Sequence, residues 1–112
     1  MYKEDCIFCK IAQKQIPSGI VFEDEDILAF KDLNPKAPTH ILVIPKSHYD
    51  TLNELEDEIL MGKLLSAVKK ITKQLGITDY RTVLNTGKGS GQEVFHMHFH
   101  ILSGRKLTWP PG

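Results

Sequence analysis

The sequence has no excess of either charge, because 14 lysine and arginine residues balance 14 aspartate and glutamate residues in a chain of 112. Proteins that bind nucleic acid gain much of their affinity from a concentrated positive surface that displaces counterions from phosphates. The balance therefore argues against a nucleic-acid partner, although a single nucleotide needs only one local phosphate site. With 41% hydrophobic and 25% charged residues, the composition is typical of one globular domain, which we expect to span residues 1–112.

Long hydrophobic runs and numerous cysteines are also missing. No apolar stretch approaches the roughly 18 residues that indicate a transmembrane helix, and the N-terminal residues do not have the pattern of a signal peptide. The two cysteines, Cys6 and Cys9, are too few and too close for a secreted disulfide framework. We therefore expect a cytoplasmic protein with no membrane partner, whose thiols are reduced and available to a metal or to redox chemistry.

Short apolar segments bounded by turn residues predict strands, and one longer amphipathic segment predicts a helix. The helix should begin near residue 53 and end before Gly76, because apolar residues recur there at spacings of three and four. These residues are Leu55, Ile59, Leu60, Leu64, Val68, Ile71 and Leu75. The strands should lie at residues 20–23, 27–30, 40–45, 81–85 and 94–102. This order predicts an α+β fold in which an antiparallel sheet packs against one long helix.

Three of the five histidines alternate with apolar residues in the last predicted strand. Successive side chains of a strand point to opposite faces, so His96, His98 and His100 should project from one face at intervals of about 6.6 Å. The intervening apolar residues would then point into the core. Such a row of imidazoles can bind a metal, transfer protons near neutral pH or attack phosphorus. The alternatives are ordinary surface histidines or a metal site formed by all three.

A glycine-rich segment, residues 86–92, precedes this strand. Gly87, Gly89 and Gly91 permit backbone conformations in which several N–H groups converge on an anion. Most glycine-rich loops are ordinary turns. Next to three histidines, however, this segment supplies the phosphate site that a histidine nucleophile needs.

Three separate segments resemble those of the histidine-triad (HIT) family, and the resemblance extends from Cys6 to Gly112. The sequence His-Met-His-Phe-His-Ile-Leu at 96–102 is similar to the family's triad, and residues 32–46 are similar to its second characteristic segment. The ending Trp-Pro-Pro-Gly is similar to that of the Hint branch, the purine nucleoside phosphoramidases. The resemblance implies a HIT-like fold with about five antiparallel strands, one long helix and a short N-terminal helix.

The family's central histidine is its nucleophile, and it corresponds here to His98. The resemblance implies that His98 attacks the α-phosphorus of a purine nucleoside phosphoramidate or a related derivative. The covalent nucleotidyl-histidine that results is then hydrolysed by water. The main-chain carbonyl of His96 would orient the His98 ring. His100 would contact the phosphate and assist proton transfer to the leaving group, and His40 would complete the set.

A nucleotide pocket follows from the same resemblance. Asp32 corresponds to the acid that accepts both ribose hydroxyl groups, although on local grounds it is an equally good loop cap. Glu93 departs from the family pattern, because animal members of the Hint branch have serine there. Its carboxylate would repel the phosphate, so only its backbone N–H should contribute. The other implied pocket residues are Ile7, Phe8, Ile11, Ile16, Phe30 and Leu33 around the base, and Asn85, Gly91 and Gln92 at the phosphate.

The pair formed by Cys6 and Cys9 is by itself a weak metal signal. Some family members with this pair resemble zinc-binding proteins that also use two histidines, which correspond here to His48 and His96. Two thiolates and two imidazoles make a closed tetrahedral site, so we expect one structural zinc ion per chain and no organic cofactor. The alternatives are two inert buried thiols and a redox pair.

The leading hypothesis is a hydrolase whose partner is a purine nucleoside monophosphate, AMP or GMP, or its phosphoramidate. A nucleotide-binding regulatory or scaffold protein with incidental turnover is the alternative, and a metalloenzyme with zinc on the triad itself is a third. The Hint resemblance also implies a homodimer in which the long helix and the final strands pair across a twofold axis. In that dimer, Trp109 in the proline-rich tail would reach the phosphate site of the partner.

Overall fold

The computed structural model describes residues 2–112 and contains a five-stranded antiparallel sheet. The strands are β1 (Ile20–Glu23), β2 (Ile27–Lys31), β3 (Thr39–Pro45), β4 (Arg81–Leu84) and β5 (Phe99–Ser103), in the spatial order β1-β2-β3-β5-β4. The helices are α1 (Ile7–Ala12) and α2 (Glu58–Gln74), with 3₁₀ turns at Leu52–Glu54 and Lys88–Ser90. The predicted α+β class is confirmed, and the first four predicted strands are correct to within one residue at each end. Neither helix has the length and hydrophobicity that crossing a membrane requires.

The pairing of β3 with β5 gives the sheet two different faces. On one face, Ile41 lies opposite Ile101, and both are buried against α2. On the other face, Leu42 lies opposite His100, so apolar and polar side chains share that surface. The apolar part of the second face packs against α1 in a separate core of Cys6, Phe8, Cys9, Ile11, Ala12, Leu28, Phe30, Leu42 and Ile44. The polar part carries the histidines.

The long helix begins later than the sequence predicts. Asp57 caps the N-terminus of α2, because its side chain accepts the backbone N–H groups of Ile59 and Leu60 at 3.0 and 3.1 Å. The residues before it form a separate 3₁₀ turn, in which Thr51 and Glu54 make a reciprocal capping box. The predicted start near residue 53 was therefore wrong. Two capping signals follow each other in the sequence, and only the second begins the helix.

The buried stripe of α2 is narrower than the predicted one. Leu64 and Ile71 are almost completely buried against the sheet, as expected. Ile59, in contrast, is 74% exposed, because it lies about 100° around the helix from the buried Leu60. Leu75 is the C-cap residue and is half exposed. The outer side of α2 therefore keeps apolar surface in contact with solvent.

The last strand is shorter than predicted, since β5 begins at Phe99 and not at residue 94. Phe99 pairs with Val43, so Met97 would pair with Pro45 if the ladder continued. Proline has no N–H to donate to a ladder, and the N–H of Met97 donates instead to the carbonyl of Tyr49 at 2.8 Å. The neighbouring strand β4 also ends opposite Phe99. Residues 94–98 therefore leave the sheet, and the prediction of strand there was wrong.

The apolar side chains between the histidines are oriented as predicted. Met97, Phe99 and Ile101 are all buried in the core beneath α2. The alternation of polar and apolar residues thus continues through a segment that has no strand neighbours. This alternation directs His98 and His100 to the opposite face of the sheet.

Candidate active site and metal centre

A pocket of about 250 Å³ opens on the second face of the sheet, beside α1 and the glycine-rich segment. Most of the predicted nucleotide-pocket residues line it, namely Ile7, Phe8, Ile11, Ile16, Phe30, Asp32, Leu33, Gly91, Glu93, His98 and His100. Asn85 and Gln92, which were also predicted, do not line it. The pocket further includes residues that the sequence did not indicate: Pro17, Ser18, Lys31, Leu42 and Val94.

One part of the pocket is apolar and lies against a catalytic candidate. The Phe8 ring of α1 contacts Phe30 and His98 in edge-to-face arrangements, with centroids 5.4 and 5.1 Å apart. A hydrophobic wall therefore stands directly beside the imidazole of His98. Leu33 differs from the other apolar residues of the pocket because it is 93% exposed. Its side chain is open to solvent at the pocket instead of packing in the core.

The His98 ring has one nitrogen bonded and the other free. Its Nδ1 lies 2.8 Å from the carbonyl oxygen of His96. Because a carbonyl oxygen only accepts, Nδ1 carries the proton, and Nε2 of the neutral ring holds a lone pair. No group among residues 2–112 donates to this Nε2. His98 therefore presents a nucleophilic nitrogen in a residue that lines the pocket.

His40 and His100 form a directed chain of hydrogen bonds. The backbone N–H of Lys36 donates to Nδ1 of His40 at 3.0 Å, so the proton of neutral His40 resides on Nε2. This Nε2 donates to Nδ1 of His100 at 2.9 Å, which leaves the proton of His100 on its own Nε2. The ring centroids of His100 and His98 are 4.9 Å apart. The ring that carries this N–H donor is thus a neighbour of the His98 ring.

Burial keeps these three imidazoles neutral at pH 7. It lowers the pKa of His40 and His98 below the ordinary histidine value, and it lowers the pKa of His100 to about 4. The cause is the loss of hydration, which disfavours the charged form. The carboxylate of Asp32 acts in the opposite direction but is weaker. His98 therefore keeps its lone pair without a prior deprotonation step.

Asp32 follows β2 and lines the pocket near the histidines. Its Oδ1 accepts the backbone N–H of Asn34 at 2.8 Å, so Asp32 does cap the loop. Its Oδ2 lies 3.4 Å from Nε2 of His40. An ionised carboxylate has about four acceptor sites. The loop-capping Asp32 therefore still has capacity for the hydroxyl groups of a ligand.

The glycine-rich segment forms a tight turn at the polar end of the pocket. Gly87 and Gly91 have φ angles of 93° and 103°. Residues other than glycine rarely adopt such positive φ angles. The N–H of Gly91 already donates to the carbonyl of Lys88 at 3.1 Å. The N–H of Glu93, in contrast, has no hydrogen-bond partner within residues 2–112. Asn85 lies close to Gly91, because a Cβ on Gly91 would be 3.7 Å from Nδ2 of Asn85.

His96 does not stay with the other two histidines of the motif but belongs to a second cluster with Cys6, Cys9 and His48. Nδ1 of His96 is 3.4 Å from Sγ of Cys6 and 3.5 Å from Sγ of Cys9. Nδ1 of His48 is 3.3 Å from Sγ of Cys9. Tetrahedral zinc with ordinary bond lengths separates sulfur and nitrogen ligands by about 3.5 Å. The four predicted ligands therefore fit one structural zinc ion.

The surroundings of this cluster also suit a cation. Nε2 of His96 donates to the carbonyl of Pro45 at 2.7 Å, and Nε2 of His48 donates to the carboxylate of Asp50. Both rings consequently present an Nδ1 lone pair to the metal position. Two backbone N–H groups donate to the sulfur atoms at 3.4 Å each. Burial alone raises the pKa of the Cys9 thiol, whereas a coordinating metal ion deprotonates such a thiol. Four protein ligands leave no open position, so the site is structural.

The alternative of zinc on the triad agrees less well with the geometry. Asp32, His40 and His100 do bring three ligand atoms together. However, the facing nitrogens of His40 and His100 are 2.9 Å apart, which is a hydrogen-bonding distance. Two imidazoles on one tetrahedral zinc ion would be separated by about 3.3 Å. A shared proton accounts for the observed contact.

Comparisons with known proteins identify the family of this chain. The HIT domain matches residues 13–107. The chain belongs to the HIT family. A HIT family hydrolase from Legionella pneumophila has a similar structure, with a TM-score of 0.92 and 50% identity, over 96% of this chain and 100% of that one. A histidine triad nucleotide-binding protein from Candida albicans gives a TM-score of 0.82 at 36% identity, over 95% and 83% of the chains.

One relative of this HIT-family chain is named as a zinc-binding protein. A 14 kDa zinc-binding protein of Zea mays is 50% identical to it, over 95% of this chain and 87% of that protein. Together with the cluster geometry, this similarity confirms the expected structural zinc. The predicted HIT-like fold is confirmed by the structural matches.

Several groups that organise the site were missed at the sequence level. Asp50 holds the metal ligand His48, and its only signal is an acidic side chain two residues after a proposed ligand. The N–H of Lys36 and the carbonyl of Pro45 orient His40 and His96 through the main chain. Main-chain groups leave no signature in side-chain identity, so only the folded structure reveals them.

Protein purified without chelator should contain one zinc ion per chain, measured by elemental analysis. Cys9→Ser and His48→Asn should each lose the metal and lower the melting temperature by several degrees, because four ligands are needed to close the site. His100→Asn, which removes a half-buried histidine outside the cluster, is the matched control and should keep its zinc. Fresh wild-type protein without zinc, or a His48→Asn variant that still holds one zinc ion per chain, would contradict the assignment of the four zinc ligands.

Proposed function

We propose that this HIT-family protein is a nucleotide-binding hydrolase that cleaves purine nucleoside phosphoramidates, or related derivatives of purine nucleoside monophosphates, through a covalent intermediate on His98. The proposal rests mainly on the hydrogen bonding of the His98 ring: its Nδ1–H donates to the carbonyl of His96, and its Nε2 is free. The hydrolase of Legionella pneumophila and the nucleotide-binding protein of Candida albicans support this class of reaction and ligand.

The pocket offers three environments that suit the three parts of a nucleoside monophosphate. The apolar wall around Phe8 and Phe30 suits a purine base. The carboxylate of Asp32 can accept hydrogen bonds from ribose hydroxyl groups. The free backbone N–H of Glu93 can donate to the phosphate. The carboxylate of Glu93 would repel that phosphate, so we expect it to influence the choice of leaving group instead.

The proposed reaction has two balanced steps. In the first, Nε2 of His98 forms a bond to phosphorus while the P–N bond breaks, and the leaving nitrogen takes a proton from solvent and departs as a neutral amine. The N–H of His100 stabilises this step by hydrogen bonding. In the second, water forms a bond to phosphorus, the bond to His98 breaks, and one proton of the water returns to solvent. The products are the nucleoside monophosphate and the amine.

We also propose that the chain acts as a cytoplasmic single-domain protein that forms a homodimer. Supporting observations are the exposed apolar residues Ile59 and Leu65 on α2, the edge position of β4, and an 81% exposed Trp109. Arg81 of β4 holds the tail through the carbonyl of Thr108 at 3.0 Å, which sets the tail beside that edge. Sedimentation should give the mass of a dimer at micromolar concentration, and the mass of a monomer would refute this assembly.

His98→Asn should abolish hydrolysis of a purine nucleoside phosphoramidate while AMP still binds. Losing the nucleophile removes the covalent pathway and should therefore lower the rate by several orders of magnitude. Intact-protein mass spectrometry should detect a nucleotidyl adduct on the wild type and none on the variant. Activity within tenfold of the wild type would refute the assignment of His98. AMP binding without any wild-type adduct would favour a regulatory nucleotide-binding protein instead.

Asp32→Asn should lower the affinity for AMP by tenfold or more and leave the affinity for 2′,3′-dideoxy-AMP nearly unchanged. The substituted amide oxygen can still accept the N–H of Asn34, whereas hydrogen bonds to the charged group, worth roughly 1.5–3 kcal/mol, are lost. Asp24→Asn is the matched control, because Asp24 caps a turn away from the pocket through backbone N–H groups at 2.8 and 2.9 Å. Calorimetry gives both affinities. Equal losses for the two ligands would mean that Asp32 only stabilises its loop.

A further inference from the structure

Residues 93–98 connect the glycine-rich segment to β5 and lie outside the sheet. This connecting segment contains the metal ligand His96 and the candidate nucleophile His98, so its position matters for both sites. Without a strand neighbour, it is held against residues 48–50 by contacts of other kinds. The N–H of Met97 donates to the carbonyl of Tyr49 at 2.8 Å. The rings of His48 and His96, whose centroids are 5.0 Å apart, meet at the metal centre.

A third contact with residues 48–50 is made by Gln92. This glutamine is 3% exposed, and all its side-chain polar atoms are hydrogen-bonded. Its Nε2 donates to the carbonyls of Asp50 at 2.7 Å and Val94 at 3.1 Å. Its Oε1 accepts the backbone N–H of Gly87 at 2.8 Å. Gln92 therefore joins residue 50 to the first glycine of the turn without entering the pocket.

The side chain of the same Asp50 is hydrogen-bonded to His48, one of the metal ligands. The Asp50 carboxylate accepts Nε2–H of His48, and Nδ1 of His48 faces Sγ of Cys9 at 3.3 Å. A continuous path thus leads from the metal ligands through His48, Asp50 and Gln92 to Gly87. Each link is a directed hydrogen bond or a covalent connection, and Gln92, the last residue of the glycine-rich segment, is the link to Gly87.

We propose that Gln92 is a positioning residue that couples the metal centre to the glycine-rich segment, so that the order of this segment depends on metal occupancy. With the metal bound, His48 and Asp50 are fixed, and Gln92 holds Gly87 in its positive-φ conformation. Without the metal, His48 loses its anchor, and the path no longer restrains the turn. The consequence for nucleotide binding rests on the proposed function, whereas the coupling itself does not.

Amide hydrogen exchange measured by NMR on the zinc-loaded protein tests the coupling. Chelating the zinc of the wild type should accelerate exchange of the Gly87 N–H by at least about fivefold, a magnitude typical of coupled sites. Exchange of Ile71, a buried residue in the C-terminal half of α2, should not change, which separates a local effect from global destabilisation. An unchanged Gly87 rate, or equal acceleration at both residues, would overturn the proposal.

Two variants test whether Gln92 is the coupling residue. In Gln92→Met, the Gly87 N–H should exchange rapidly whether or not zinc is present, so the zinc dependence disappears. Gln74→Met makes the same chemical change on the exposed end of α2 and should retain the wild-type dependence. A zinc dependence that persists in Gln92→Met would overturn the role of Gln92.

Asp50→Ala keeps the test decisive if Gln92→Met fails to fold. It removes the bond to His48 but leaves the main-chain carbonyl that Gln92 contacts. At saturating zinc, the variant should accelerate Gly87 exchange as chelation does, although the metal is bound. Wild-type exchange at Gly87 in this zinc-loaded variant would overturn the proposed path.

Nucleotide binding provides a separate readout. Because coupling between two ligands is reciprocal, AMP should raise the zinc affinity of the wild type by the factor by which zinc raises AMP affinity. This factor should fall towards one in Gln92→Met and stay unchanged in Gln74→Met. AMP that binds without altering zinc affinity would contradict the coupling. Failure of AMP to bind the zinc-loaded protein would count against the proposed function, and the exchange rates would still decide the role of Gln92.

Discussion

The pairing of β3 with β5 is the contact on which both cores and both polar sites depend. Its register places Ile41 opposite Ile101 on one face and Leu42 opposite His100 on the other. A shift of one residue would turn the histidines into the α2 core and expose the aliphatic side chains to solvent. Burial of apolar surface, at about 25 cal/mol per Å², opposes such a shift. The hydrophobic core beneath α2 therefore determines where the histidines lie on the opposite face.

Burial and hydrogen bonding act on different properties of the histidines. Burial removes hydration and lowers the pKa of His40, His98 and His100, which keeps the rings neutral. Hydrogen bonds then select the tautomer. A carbonyl can only accept, so it fixes the proton of His98 on Nδ1, and the N–H of Lys36 can only donate, so it directs the proton of His40 to Nε2. The acceptors and donors that decide these tautomers belong to the main chain.

The β3–β5 ladder ends at the pair Val43–Phe99, before Pro45, and this end separates the histidine motif into two sites. Beyond this point the connecting segment is free of the sheet, and its first histidine, His96, turns to the thiols of Cys6 and Cys9. The carbonyl of Pro45 accepts Nε2–H of that same histidine. One proline thus ends a strand and orients a metal ligand. The main-chain carbonyl of His96 meanwhile holds His98, so a single residue serves the metal centre with its side chain and the candidate nucleophile with its backbone.

The sequence alone determined the features that depend on local periodicity and residue chemistry. These are four strands, the sheet-facing side of α2, the apolar burial of Met97, Phe99 and Ile101, and the family resemblance that named the four metal ligands. Tertiary structure decided the rest, because the causes lie far apart in the chain. The ladder stops before Met97 because the residue opposite Met97 would be Pro45, 52 positions earlier in the numbering. The start of α2 depended on which of two successive N-cap residues, Thr51 or Asp57, begins the α-helix. Main-chain partners decide the tautomers of the histidines and the division of the histidine motif into two sites. They also decide the support that Gln92 gives to its loop. The identity of a residue does not show which main-chain groups will lie beside it.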